Sequence, residues 1–119
     1  MNEEARRPPF TFGEYHHEAR KTAKYPGSGM GDPTYPVIGL CGECGEIAEK
    51  YKKVLRDRNG HPTSEDKKAI LFEIGDALWY LDALATEIGY DLEEAARLNV
   101  AKLKDRSERG VIGGSGDNR

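Results

Sequence analysis

A chain of 119 residues is the size of one domain, with room for one core and not two. At 33% charged and 37% hydrophobic residues it buries more surface by self-association, which favours a helical homo-oligomer, a dimer or a tetramer. A formal net charge of −3 excludes the basic footprint of a duplex-binding protein, and the absence of a long apolar run excludes a membrane span.

Residues 1–9 start acidic, lack a hydrophobic signal region and end in Pro8-Pro9, which predicts a loose arm. From Phe10 to Lys24 the composition suits a helix, with Phe12, Tyr15, Ala19, Thr22 and Ala23 near one face. The stretch from Tyr25 to Pro36 is too dense in Gly and Pro for a regular element, and its length is that of a lid or binding loop. A second helix is predicted over 37–58, its stripe made of Leu40, Cys44, Ile47, Tyr51, Val54 and Leu55. Asn59-Gly60-His61-Pro62 stops it, and Thr63-Ser64-Glu65-Asp66 reads as a capping box for the third. That helix carries Ile70, Ile74, Leu78, Leu81, Ala85 and Ile88 and ends at Gly89. Asp91 and Glu94 open the fourth, whose stripe is Leu92, Ala96, Val100 and Leu103 and which Gly110 ends. Residues 111–119 form a Gly-rich tail, expected to be disordered. The reading is an all-α, four-helix bundle-like domain over 10–110 that oligomerises through helix packing. Both cysteines fall inside a predicted helix, the usage of a reduced, cytoplasmic protein.

Two acidic pairs stand out. Glu43 and Glu46 are three apart, as are Glu73 and Asp76, so each pair shares a helix face. At roughly 100° per residue, Glu43, Glu46, Lys50 and Lys53 run along one edge of the second helix's stripe, and Glu49 turns toward solvent. Glu73, Asp76 and Tyr80 form a matching row on the third helix. Packing the two stripes together gathers four carboxylates, which repel unless a cation neutralises them. Oxygen ligands of this kind select magnesium, manganese or calcium, and magnesium completes its shell with water and phosphate. Against this, acids three apart are common on solvated helices, and Glu46 with Lys50 makes an ordinary surface pair.

The order Glu-x-x-Glu, 26 residues, Glu-x-x-Asp resembles the signature of the MazG-like pyrophosphohydrolases of the all-α nucleotide pyrophosphatase superfamily. Gly39-Leu-Cys-Gly-Glu-Cys-Gly-Glu-Ile-Ala-Glu-Lys50 is similar to that family's first acidic helix, Glu73-Ile-Gly-Asp-Ala-Leu-Trp-Tyr-Leu81 to its second, and Asn99-Val-Ala-Lys-Leu103 to its third block. The resemblance implies that Glu43, Glu46, Glu73 and Asp76 ligate Mg2+, which Mn2+ can replace. It also implies cleavage of a nucleoside triphosphate between its α and β phosphates, in nucleotide-pool house-cleaning. Some relatives carry two adjacent acids at the first motif, where this chain has Gly42 before Glu43. That difference leaves the number of metals open, and Glu43 or Glu46 as the base that takes the proton from water.

On the fourth helix Asn99, Lys102, Arg106 and Arg109 share an edge. Lys102 and Arg106 are candidate phosphate contacts, Asn99 a reader of sugar or base, and Lys53 a contributor from the second helix. Tyr80 or Trp79 can stack on a base, although Trp79 points away from the acidic row in projection. Cys41-Gly-Glu-Cys44 lacks the second pair of a zinc site and reads as small core residues. Gly42 and Gly45 suggest close helix approach. The single Glu14-x-x-His17 lacks the partner motif of a di-iron bundle, which leaves His16 and His17 as surface residues. The Asp117-Asn118-Arg119 end resembles that of phage-type members and can fold over a nucleotide in a neighbouring subunit. The competing readings are a non-catalytic metal- and nucleotide-binding regulator and a plain helical assembly module.

Overall fold

In the computed structural model, which describes residues 7–110 and 113, the chain forms four helices: α1 (Phe12–Arg20), α2 (Thr34–Arg58), α3 (Ser64–Glu87) and α4 (Leu92–Glu108). No strand occurs among the described residues, and the all-α expectation holds. The arm at 1–6 and most of the Gly-rich tail, at 111, 112 and 114–119, lie outside the described residues.

Local chemistry sets each boundary. Thr11 caps α1, its hydroxyl accepting from the Glu14 amide at 3.1 Å. α1 is shorter than the predicted 10–24. It stops at Arg20, and the Thr22 hydroxyl turns back to donate to the Ala19 carbonyl at 3.0 Å. α2 starts one turn earlier than Val37. Asp32 Oδ1 accepts from the Thr34 amide at 3.0 Å, and Pro36 falls in the first turn, where a missing N–H removes no helical bond. Asn59 (φ 52°) and Gly60 (φ 78°) end α2 in the left-handed region, with the Gly60 amide donating to the Val54 carbonyl at 3.1 Å. The capping box of α3 forms: the Asp66 amide donates to Thr63 Oγ1 at 3.1 Å and the Thr63 amide to Asp66 Oδ2 at 2.9 Å. Asp91 caps α4, accepting from the Glu94 amide at 2.7 Å.

The short link at 59–63 folds α2 and α3 into a hairpin, which is the most extensive helix contact in the fold. Val54 and Ala83 are buried in the core. α1 docks on α3 through a buried carboxylate. Asp82, with no exposed surface, accepts from His16 Nδ1 at 3.1 Å and Arg20 Nε at 3.2 Å. His16 is therefore not the free surface histidine its sequence suggests, whereas His17 is exposed. α4 touches α1 and α3 but not α2.

The apolar stripes are only partly covered. Val54, Ala85 and Leu92 are buried, while Leu55, Ile74, Ile88, Val100 and Leu103 stay exposed. Cys41 and Cys44 are exposed too, which corrects their placement in the core. The reason is geometric: a Cβ added at Gly42 or Gly45 would meet nothing, so no described element of the same chain covers that face of α2.

Candidate active site

The α2–α3 hairpin brings Glu43, Glu73 and Asp76 together, with one carboxylate oxygen of each within 4.8 Å of the others. Glu43 and Glu73 are half-buried and Asp76 is exposed. Lys50 reaches across the seam to Glu73 Oε1 at 3.5 Å, so its partner lies on the opposite helix and not at Glu46. The Glu43 carboxyl is pushed up to about 7. The first cause is its hydrogen bond with Glu73, followed by burial and the charges of Asp76, Glu73 and Glu46. At neutral pH the group is thus a set of acids short of countercharge. An oxygen-rich set of this kind matches a hard divalent cation.

Glu46 lies outside that group. It is exposed, and its charge is the weakest of the influences on Glu43. A rise of about 4.5 Å separates residues three apart on a helix, so sharing an edge does not bring Glu46 to the point where the other three meet. Lys53 is exposed and its charge acts on Glu49 and Asp57, away from the acidic group. Glu49 faces solvent as expected, paired with Lys52 at 3.0 Å.

Beside the acids lies a recess of about 390 Å³ lined by Thr22, Glu43, Asp76, Trp79 and Tyr80. Tyr80 lies against Gly39 of α2, where any Cβ would collide with its ring. Burial is the main cause that pushes its phenol up, and Tyr35, Glu43 and Asp76 add to it. Trp79 also lines the recess, against the direction of its helical projection. Its indole Nε1 donates to Thr22 Oγ1 at 3.0 Å and to the Ala19 carbonyl at 3.3 Å, so the end of α1 and the turn after it hold the ring beside Tyr80. The two rings meet edge to face at 5.1 Å between centroids.

The α4 residues are elsewhere. Asn99 and Lys102 are exposed on a helix that does not touch α2. Arg106 is 4% exposed, so it is not the open, phosphate-facing cation that the α4 edge predicts.

Sequence reasoning also passed over Glu87. Its carboxylate, 6% exposed, accepts from Tyr25 Oη at 3.1 Å, the Gly29 amide at 2.7 Å and the Gly31 and Asp32 amides at 3.1 Å each. Foremost the Gly29 amide, then the Tyr25 hydroxyl and the amides of Asp32 and Gly31, hold this carboxyl below its ordinary value. The only signal in the sequence is an acid in the last turn of a helix, where it opposes the macrodipole.

Residues 36–111 match the MazG nucleotide pyrophosphohydrolase domain. The chain is 45% identical over 109 residues to a protein of Mycobacterium phage L5 named Gene 37 protein, an alignment covering 88% of this chain and 96% of that one. No solved structure matches.

Proposed function

Because the chain belongs to the MazG nucleotide pyrophosphohydrolase family, we propose that it hydrolyses nucleoside triphosphates between the α and β phosphates to a monophosphate and pyrophosphate. The observation that carries this reading is the meeting of Glu43, Glu73 and Asp76 beside an aromatic recess. These three carboxylates are the proposed ligands of Mg2+, with Mn2+ able to replace it. When bound, the cation supplies countercharge to the phosphates and orients a water. Glu46, close by but outside the group, is the carboxylate left to accept the water's proton. Trp79 and Tyr80 offer ring surfaces for the base, and Thr22 a hydroxyl. Lys53, exposed on α2, is assigned to the triphosphate tail.

The chain is proposed to act as a homodimer or homotetramer. α4 carries exposed Leu98, Val100 and Leu103, and it lies apart from the α2 acids of its own chain. Asn99 and Lys102 are therefore assigned to the site of a neighbouring copy.

The test is pyrophosphate release from a panel of ribo- and deoxyribonucleoside triphosphates with and without Mg2+. Glu46→Gln is expected to lower kcat about 100-fold, the usual contribution of a positioned base. Asp76→Asn is expected to raise the Mg2+ concentration needed for half-maximal rate. Full activity in both variants would sink the assignment.

A further inference from the structure

Glu87 sits far along α3 from the acids, in a place where it does not help its own helix. A negative side chain in the last helical turn opposes the macrodipole. A buried carboxylate is also expensive unless its oxygens are satisfied. Here both oxygens are used. Oε1 takes the Tyr25 hydroxyl and the Gly29 amide, and Oε2 takes the Gly31 and Asp32 amides. The loop between α1 and α2 is wound around this one side chain. Gly27, Gly29 and Gly31 make the winding possible, with φ of 83°, 77° and 73°, a region that other residues rarely enter.

The loop presents Tyr25 to a run of aromatic rings on α2 and α3. Tyr25 is stacked on Tyr35, 5.5 Å between centroids and 6° between planes. It meets Trp79 edge-on at 5.9 Å, and Tyr35 lies 6.5 Å from Tyr80. Trp79 and Tyr80 then line the recess with Glu43 and Asp76. A continuous chain of contacts thus runs from the Glu87 carboxylate through Tyr25 and Tyr35 to the wall of the recess.

We propose that Glu87 is a positioning residue for nucleotide recognition: by clamping the loop from Tyr25 to Asp32 it sets the aromatic wall beside Glu43 and Asp76. The inference rests on the reading above, that the recess receives the nucleoside part of the substrate. Glu87 touches neither substrate nor acids. It acts through the rings, so its loss weakens binding and leaves the chemical step intact.

Three readouts test this on the full-length protein, comparing wild type with Glu87→Gln. Hydrogen exchange at the amides of Gly29, Gly31 and Asp32 reads the clamp. Trp79 is the only tryptophan in the chain, so its emission reads the wall. Steady-state kinetics with Mg2+ and the best nucleotide of the panel read recognition. The expected result is faster exchange at all three amides, a shifted Trp79 emission, and KM raised about tenfold, the factor for one charge-assisted bond, with kcat changed by less than about twofold. Faster exchange with unchanged emission and KM overturns the proposal, because Glu87 then holds only the loop. A loss confined to kcat overturns it as well. Should Glu87→Gln not fold, Tyr25→Phe keeps the ring, removes one of the clamp's bonds, and is judged by the same three readouts. If the wild type turns over no nucleotide, the functional reading falls. Exchange and emission then still decide whether Glu87 sets the wall.

Discussion

At the residue scale Glu43 and Glu87 are both carboxylates on long helices, yet their surroundings push them in opposite directions. Glu87 is ringed by donors and held below its ordinary value, so its contribution to stability is present above the unfolded value and lost as pH falls through the folded one. Glu43 is ringed by other acids and pushed from 4.5 to about 7. Between those values the folded chain keeps a proton that the unfolded chain has released, so stability falls as pH rises through that window. Without divalent cation, Tm is therefore expected to drop from about pH 5 to about pH 7.5, and Glu43→Gln is expected to flatten the slope. Added Mg2+ is expected to raise Tm most at the upper end, where binding displaces no proton. Calorimetry in chelator and in Mg2+ measures both. An equal Mg2+ effect at both ends of the range would contradict the coupling. The two acidic rows were legible in the sequence because spacing fixes direction around a helix. Glu87 and Asp82 were not, because their partners lie 55 to 66 residues away and only the tertiary fold brings them close.

At the element scale the helices follow their local signals. Thr11, Thr63 and Asp91 cap where short polar side chains precede a periodic stretch, and Asn59-Gly60 stops α2. Two boundaries escaped that reading. α2 gains a turn from Asp32 and Pro36, and α1 loses one because Thr22 bonds backward. Trp79 escaped too. A helical projection gives the direction of Cβ and not the reach of an indole held by another element. At Gly39 the seam between α2 and α3 leaves no room for a side-chain carbon beside the Tyr80 ring. Gly39→Ala is expected to cost about 1–3 kcal/mol, the usual penalty for overpacking, and to push the Tyr80 ring toward the recess. Urea unfolding and KM measure the two effects. A stable variant with unchanged KM would show that the seam yields.

At the scale of the whole molecule the described helices leave large apolar side chains uncovered: Ile38, Leu55, Leu71, Phe72 and Ile74 on the hairpin, and Leu98, Val100 and Leu103 on α4. Periodicity put Leu55, Ile74, Val100 and Leu103 in stripes, but a stripe does not say whether its partner belongs to the same chain, and Ile38, Leu71, Phe72 and Leu98 fall outside the stripes. The proposed oligomer is the arrangement that would cover them. Sedimentation is expected to give a dimer or tetramer at micromolar concentration, and Phe72→Glu to weaken association at least about tenfold, since burying an unpaired charge is costly. A monomeric wild type would refute it.

The contact between Gly39 and Tyr80 also bears on how this chain can vary. A side chain at position 39 and the Tyr80 ring in its present place exclude one another, so position 39 cannot enlarge while that ring stays where it is. Among descendants of this sequence a larger residue at 39 should come with a smaller one at 80. Such a pair would remove the Tyr80 ring from the wall of the recess.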